Sequence, residues 1–285
     1  MTLRYIGGMD THVTFPAGRL EETATVLRIL PLAEGRSAVV TDRTPFHPID
    51  PWWPDQPSDS GVMLAGGVTL EVPEAIVLAD GAVVDPATTP RGAEGVALQV
   101  GHIVGDTSAL VEGMEVTLRV DPASRDALAT GHTAAHIAAL ALNRVLASYW
   151  KKPISEDGQG QPNTDQKLIA ASRIAPYGSR ETYRIGKSAR KAGFDAERFR
   201  QDSAGLANAI ATEANAMLSR IRRIEVLPAE DALSGRRTWR ATLENGTVDI
   251  PCGGVHMLDP RAIGPISIDL TPSDDGFVMD VKVGP

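Results

Sequence analysis

Four residues of this 285-residue sequence are of types that hold transition metals, and they come in two spaced pairs: His132 with His136, and Cys252 with His256. Three of the six histidines and the only cysteine are thus committed to two i, i+4 pairs. On a helix, side chains four apart lie over neighbouring turns of one face, so both imidazoles of the first pair can reach a single ion. In the second pair, CGGVH, Gly253 and Gly254 let the backbone bend so that a thiolate and an imidazole converge. One thiolate with three imidazoles suits zinc, whereas magnesium and calcium prefer oxygen. Taken singly, each residue has an ordinary alternative. A buried helical histidine is commonly a hydrogen-bonded core residue, and a lone buried cysteine is commonly inert packing. Other hydrolase patterns are excluded: Thr133 stands where an HExxH peptidase has its glutamate, and no G-x-S-x-G motif occurs.

The elements that must position these residues are legible from periodicity. A helix is expected from Asp121-Pro122, with Asp121 as its cap and the proline in its first turn, running to about Tyr149. Its middle is apolar on nearly every face, which predicts a buried central helix. Residues 153 to 166 read as a mobile loop, and a strand pair follows over residues 169 to 185. A second helix is expected over residues 196 to 222. Strands at 224 to 226 and 238 to 243 lead into VDIPCGGVHML, and a final hairpin turns at Ser273-Asp274-Asp275-Gly276. Before residue 121 the apolar residues come in short runs with hairpin signals at Ala79-Asp80-Gly81 and Glu112-Gly113. Residues 44 to 61 are too rich in Pro, Asp and Ser for a helix or a central strand and must be a loop. There Trp52 and Trp53 either pin the loop to the surface beneath it or serve a binding role. The expected architecture is α+β: a small β-barrel domain over residues 1 to 118, then an α+β zinc-binding domain over residues 119 to 285, with a long buried helix against an antiparallel sheet.

Composition bounds the function. With 42% hydrophobic and 22% charged residues the chain can bury one large core or two modest ones. A single cysteine excludes an intramolecular disulfide. No run of 18 apolar residues and no signal-peptide pattern occurs, so a soluble cytoplasmic protein with no membrane contact is expected. A formal charge of -8 runs against wrapping DNA or a long RNA, since each phosphate contact is normally neutralised by Lys or Arg. Contact with the end of an RNA remains compatible, with Arg19, Arg28, Arg43 or the set from Lys187 to Arg200 as the local basic surface. No phosphate loop of the P-loop type is present, and no heptad seam marks an oligomer interface.

The runs GHTAAHIAALAL and PCGGVHM resemble the HxxxH and CxxxH elements of the editing domain shared by alanyl-tRNA synthetases and their free-standing relatives, the AlaX proteins. DRTPFHP followed by DQPSDSG resembles the N-terminal barrel of the same proteins, and Arg125 and RAIGPISI fit as well, so the resemblance runs from about residue 20 to the end in the same order. It implies a metal-dependent hydrolase that cleaves the ester joining a wrongly attached serine or glycine to the 3′ end of tRNA for alanine. His132, His136, Cys252 and His256 would bind Zn2+, Gln56 would approach the aminoacyl group, and the barrel would close one side of the pocket. Thr133 would either orient water or the amino acid, or bond its own helix backbone. If zinc keeps an open position it can activate water and polarise the ester carbonyl; if all four residues bind at once it holds the pocket in shape. The sequence departs from the family where IDPWWPD replaces a glycine-rich loop, Val255 replaces the threonine of CGGTH, and Ser273-Asp274-Asp275-Gly276 replaces a stretch with lysine and glycine. These departures and the acidity leave two alternatives: metal-dependent hydrolysis of a small aminoacyl or acyl metabolite, and a non-catalytic tRNA- or protein-binding module with a structural zinc.

Overall fold

Short apolar runs, several of them alternating with polar residues, form strands along the first 120 residues. In a computed structural model that describes residues 9–244 and 246–284, these are β1 (His12–Val13), β2 (Glu21–Pro31), β3 (Ser37–Thr41), β4 (Arg43–Thr44), β5 (Gly61–Ala65), β6 (Val68–Val72), β7 (Glu74–Ala79), β8 (Ala82–Val83), β9 (Leu98–Val104) and β10 (Glu115–Val120). Eight of them pair as one antiparallel sheet in the order β6-β5-β10-β2-β3-β9-β7-β8, curled into a half-barrel. Strand β10 shows the underlying pattern: Val116, Leu118 and Val120 are buried while Glu115 and Arg119 are exposed. The turn signal at Ala79-Asp80-Gly81 does join β7 to β8, with Asp80 and Gly81 both at positive φ as a two-residue hairpin turn requires. The signal at Glu112-Gly113 is a turn without a hairpin. Strand β9 pairs with β3 and β7, β10 pairs with β2 and β5, and the Gly113 N–H donates to the Val26 carbonyl. A glycine at positive φ dictates a local reversal of the chain and leaves the pairing partner open.

After Val120 the period becomes helical. Helix α1 (Pro122–Val145) starts at Asp121, whose carboxylate accepts the Ala123 N–H at 2.9 Å. From Ala127 to Asn143 every residue except His136 and Ala139 is buried, the central position that its all-round apolar sequence predicts. The helix tightens into a 3-10 turn at Ala147–Tyr149, a common ending for an α-helix. The segment expected as a mobile loop instead contains α2 (Thr164–Leu168), capped by Asn163. Its polar residues tie it down: Asn143 donates to Asp157 at 2.9 Å and the Trp150 indole to the Thr164 hydroxyl at 2.9 Å.

Then follow β11 (Ile169–Ala175), β12 (Gly178–Arg184), α3 (Lys187–Lys191), α4 (Ala196–Leu218), β13 (Arg223–Leu227), β14 (Asp231–Ala232), β15 (Thr238–Leu243), β16 (Gly246–Pro251), β17 (Ile266–Ser273) and β18 (Gly276–Val283). Helix α4 buries one stripe, Phe199, Leu206, Ile210, Ala214 and Met217, at helical spacing. The stripe packs on the antiparallel sheet β11-β12-β18-β17, where the Phe199 ring lies 4.8 Å from Phe277, itself stacked on Tyr183 at 4.6 Å. Strands β13, β15 and β16 form a separate sheet, and β14, β1 and β4 another. The chain divides into two compact units. One holds the residues up to Arg125 together with Val226–Arg237 and Gly253–Val255; the other holds Asp126–Glu225, Thr238–Cys252 and the residues from His256 onward. Among the described residues no helix is long and apolar enough to cross a membrane.

Candidate metal centre

All four metal-type residues singled out by spacing lie in the second unit and meet there. His132 and His136 project from neighbouring turns of α1, Cys252 follows the end of β16, and His256 comes four residues later. One ligand atom from each lies within 4.8 Å of all the others. Cys252 Sγ is 3.5 Å from His132 Nε2 and 3.3 Å from His256 Nε2. A tetrahedral ion with bonds of about 2.0–2.1 Å to nitrogen and about 2.3 Å to sulfur places a nitrogen and a sulfur about 3.5 Å apart, so the two Cys252–histidine edges fit such a site. The ring centroids are 4.9 Å apart for His132 and His136, 4.2 Å for His132 and His256, and 4.9 Å for His136 and His256.

The local sequence explains how α1 reaches this position. Gly131, directly before the first ligand, allows the turn of hairpin β11-β12 to touch the helix backbone. A Cβ there would lie 2.3 Å from the Ala175 carbonyl oxygen and 2.5 Å from that of Gly178. The Tyr177 N–H completes the contact by donating to the Ala127 carbonyl at 2.8 Å. The glycines between Cys252 and His256 act differently from expectation. Neither takes a positive φ, and the space where Gly253 would carry a Cβ is open, so at Gly253 the bend draws on no freedom peculiar to glycine.

Burial sets the chemistry of the cluster. His132 and His256 are buried, while His136 and Cys252 are half-buried. Desolvation alone pushes the His136 imidazole down to about 4, so it is neutral at physiological pH and keeps a lone pair for a cation. Its Nε2 is buried with no hydrogen-bond partner among the described residues. A buried polar atom so placed is costly unless something outside the protein satisfies it, and a metal ion held by the other three ligands would do so. The Thr133 hydroxyl donates to the Ala129 carbonyl at 2.8 Å, accepts the Met257 N–H at 2.9 Å and lies 3.3 Å from His256 Nδ1.

Gln56, Arg125 and the two tryptophans of the 44–61 loop belong to the first unit. Gln56 is buried, and its side-chain oxygen accepts the N–H of Val255, the residue before His256, at 3.3 Å. Arg125 is buried and donates to both carboxylate oxygens of Asp59 and to the Pro45 carbonyl, fastening both ends of the 44–61 loop. The two tryptophans of that loop differ in burial. Trp52 pins it, donating to the Thr89 carbonyl at 2.7 Å and packing against Val77, Val84 and Leu98, whereas Trp53 is 44% exposed. Of the candidate basic residues, Arg19 and Arg43 are paired with Glu230 and Glu22, while Lys187, Arg190 and Arg200 are exposed with no acidic partner among the described residues.

Sequence reasoning missed Trp239. It is fully buried, its ring lies 5.1 Å from His136 and 6.0 Å from His256, and its indole nitrogen has no partner among the described residues. The alternation of TWRATL, with Trp239 and Ala241 buried and Arg240 paired outward to Asp249, marks it as inward-facing. Nothing in the alternation says which rings it meets. No protein-family model matches this sequence, and no match was found among the curated proteins.

Proposed function

We propose that this protein is a zinc-dependent hydrolase of aminoacyl esters, acting on serine or glycine wrongly joined to the 3′ end of tRNA for alanine. The observation that carries the reading is the convergence of His132, His136, Cys252 and His256, drawn from the two motifs that resemble the HxxxH and CxxxH elements of the alanyl-tRNA editing proteins. A curled antiparallel sheet preceding the long buried helix supports it, as the counterpart of the N-terminal barrel in that family. The donor set of one thiolate and three imidazoles supports zinc over an oxygen-seeking cation. When bound, zinc supplies Lewis acidity that polarises an ester carbonyl and activates water.

The chain's own residues then divide the work. His132, His136 and His256 would hold the ion through their imidazoles and Cys252 through its thiolate. Gln56 holds the Val255 N–H within the first unit, and by the family resemblance its side chain would approach the aminoacyl group. Exposed Lys187, Arg190 and Arg200 supply cations for the RNA end in a chain of net charge -8. A second reading, hydrolysis of a small acyl ester, is favoured by one feature: exposed Trp53 sits in the loop where the family has glycines.

The test is hydrolysis of serine-, glycine- and alanine-charged tRNA for alanine by the zinc-loaded protein, beside a His132→Ala variant and a chelator-stripped sample. Rapid loss of serine or glycine, with alanine retained and both controls inactive, is the expected result. A folded, metal-replete protein that turns over no charged tRNA would overturn the tRNA reading; activity on small acyl esters would then establish the second.

A further inference from the structure

We infer that Thr133 is a positioning residue that locks His256 in the tautomer protonated at Nδ1, and thereby turns its Nε2 lone pair toward the metal. The inference rests on the metal-binding part of the proposed function and is independent of the substrate. It follows from counting protons around one hydroxyl, which has one to give and two lone pairs to receive. Thr133 Oγ1 gives its proton to the Ala129 carbonyl at 2.8 Å, the normal distance for a strong O–H donor. One lone pair takes the Met257 N–H at 2.9 Å. The position left at the oxygen is an acceptor, and what faces it, at 3.3 Å, is His256 Nδ1. That nitrogen satisfies the oxygen only by carrying the proton.

The competing tautomer has a partner of its own. With its proton on Nε2, His256 would donate to Cys252 Sγ 3.3 Å away, which would occupy two of the four ligand atoms at once. Thr133 tips the choice because its own proton is already committed to Ala129, so a bare Nδ1 would meet an oxygen lone pair. Full burial of Thr133 removes water as a substitute. The same hydroxyl pins the backbone N–H of Met257, the residue after the ligand, so ring and main chain of His256 are fixed from one atom on the helix that carries His132 and His136. Supporting hydrogen bonds of this kind set ligand orientation and basicity in metal sites, and their loss typically costs about 10–100-fold in metal affinity.

The experiment compares Thr133→Val, which keeps shape and β-branching without the hydroxyl, and Thr133→Ser, which keeps the hydroxyl, in the full chain. Zinc affinity is measured by chelator competition, the ligand-field spectrum with cobalt, and the His256 tautomer by long-range proton–nitrogen NMR of the zinc form. Thr133→Val should bind zinc about 10–100-fold more weakly and shift the cobalt spectrum, while Thr133→Ser stays within about threefold of the parent. NMR of the parent should show Nδ1 protonated. A residue that merely packs would lower the stability of the metal-free protein and leave the cobalt spectrum unchanged, and that outcome overturns the inference. So does a His256 protonated at Nε2, or a parent protein that takes up no metal. Failure to cleave charged tRNA would remove the proposed substrate and leave these metal readouts to decide Thr133.

Discussion

Arg125 and Asp59 show how much can rest on one pair of side chains. The guanidinium and the carboxylate are both buried, and each makes further hydrogen bonds: Asp59 also accepts the His47 N–H, and Arg125 also reaches the Arg19 and Pro45 carbonyls. Removing one member leaves the other as an unpaired buried charge. Arg125→Ala is therefore expected to cost about 3–5 kcal/mol in urea unfolding, and Asp59→Asn in that background should recover part of the loss. A cost below about 1 kcal/mol would show that water reaches Asp59 readily. His132 and His136 were legible at this scale because residue type and spacing are local properties that a helix turns into proximity, whereas Cys252 and His256 lie outside any helix and were marked by residue type and spacing alone. Trp239 was not, because its relation to His136 exists only across two elements.

At the scale of elements, α1 and hairpin β11-β12 define the second unit's interior. Their contact at Gly131 sets two tendencies against each other. In an exposed helix, Gly→Ala stabilises by about 1 kcal/mol through propensity. Here the added methyl would run into the Ala175 and Gly178 carbonyl oxygens, both main-chain atoms that cannot rotate away. Overpacking of this kind costs about 1–3 kcal/mol, so Gly131→Ala should lower stability despite its better propensity. It should also weaken metal binding, because the helix must shift beside His132. A variant as stable as the parent with unchanged metal affinity would mean that the hairpin turn gives way without disturbing α1. The sequence marks Gly131 only as a helix-weakening residue; its partner lies more than forty residues downstream.

Across the whole molecule, acid sensitivity follows from histidines that take no part in the metal cluster. His102 is buried between the Val39 carbonyl and the Thr44 hydroxyl, and desolvation pushes it down to about 4. His47 is pushed down to about 4 as well, with burial outweighing the nearby Asp59. In the unfolded chain both would titrate near their usual value of about 6.5. Between about pH 6.5 and 4 the unfolded state therefore binds more protons, and stability falls as the pH falls. Each histidine contributes about 3 kcal/mol over that window, with the stability fully present above it. Urea unfolding of chelator-treated protein in steps from pH 7 to 4.5 should show this loss, and His102→Gln should remove about one proton from its slope. An unchanged slope would place the native pKa of His102 near that of the unfolded chain.

By itself the sequence determined most of the elements, though not α2 or α3, and the list of metal-type residues. Period-two and all-round apolar patterns arise from how each segment meets a core, and i, i+4 spacing becomes adjacency as soon as the helix forms. It also determined the turn at Ala79-Asp80-Gly81, where backbone conformation is a property of the residues present. Only the tertiary structure decided which strands pair, and so made a turn rather than a hairpin of Glu112-Gly113. It likewise brought Val226–Arg237 and Gly253–Val255 back to the first unit, gave Thr133 three partners rather than one, and placed Trp239 against His136. Each of these depends on contacts between residues far apart in the chain, whose energies belong to the folded packing and leave no periodicity behind.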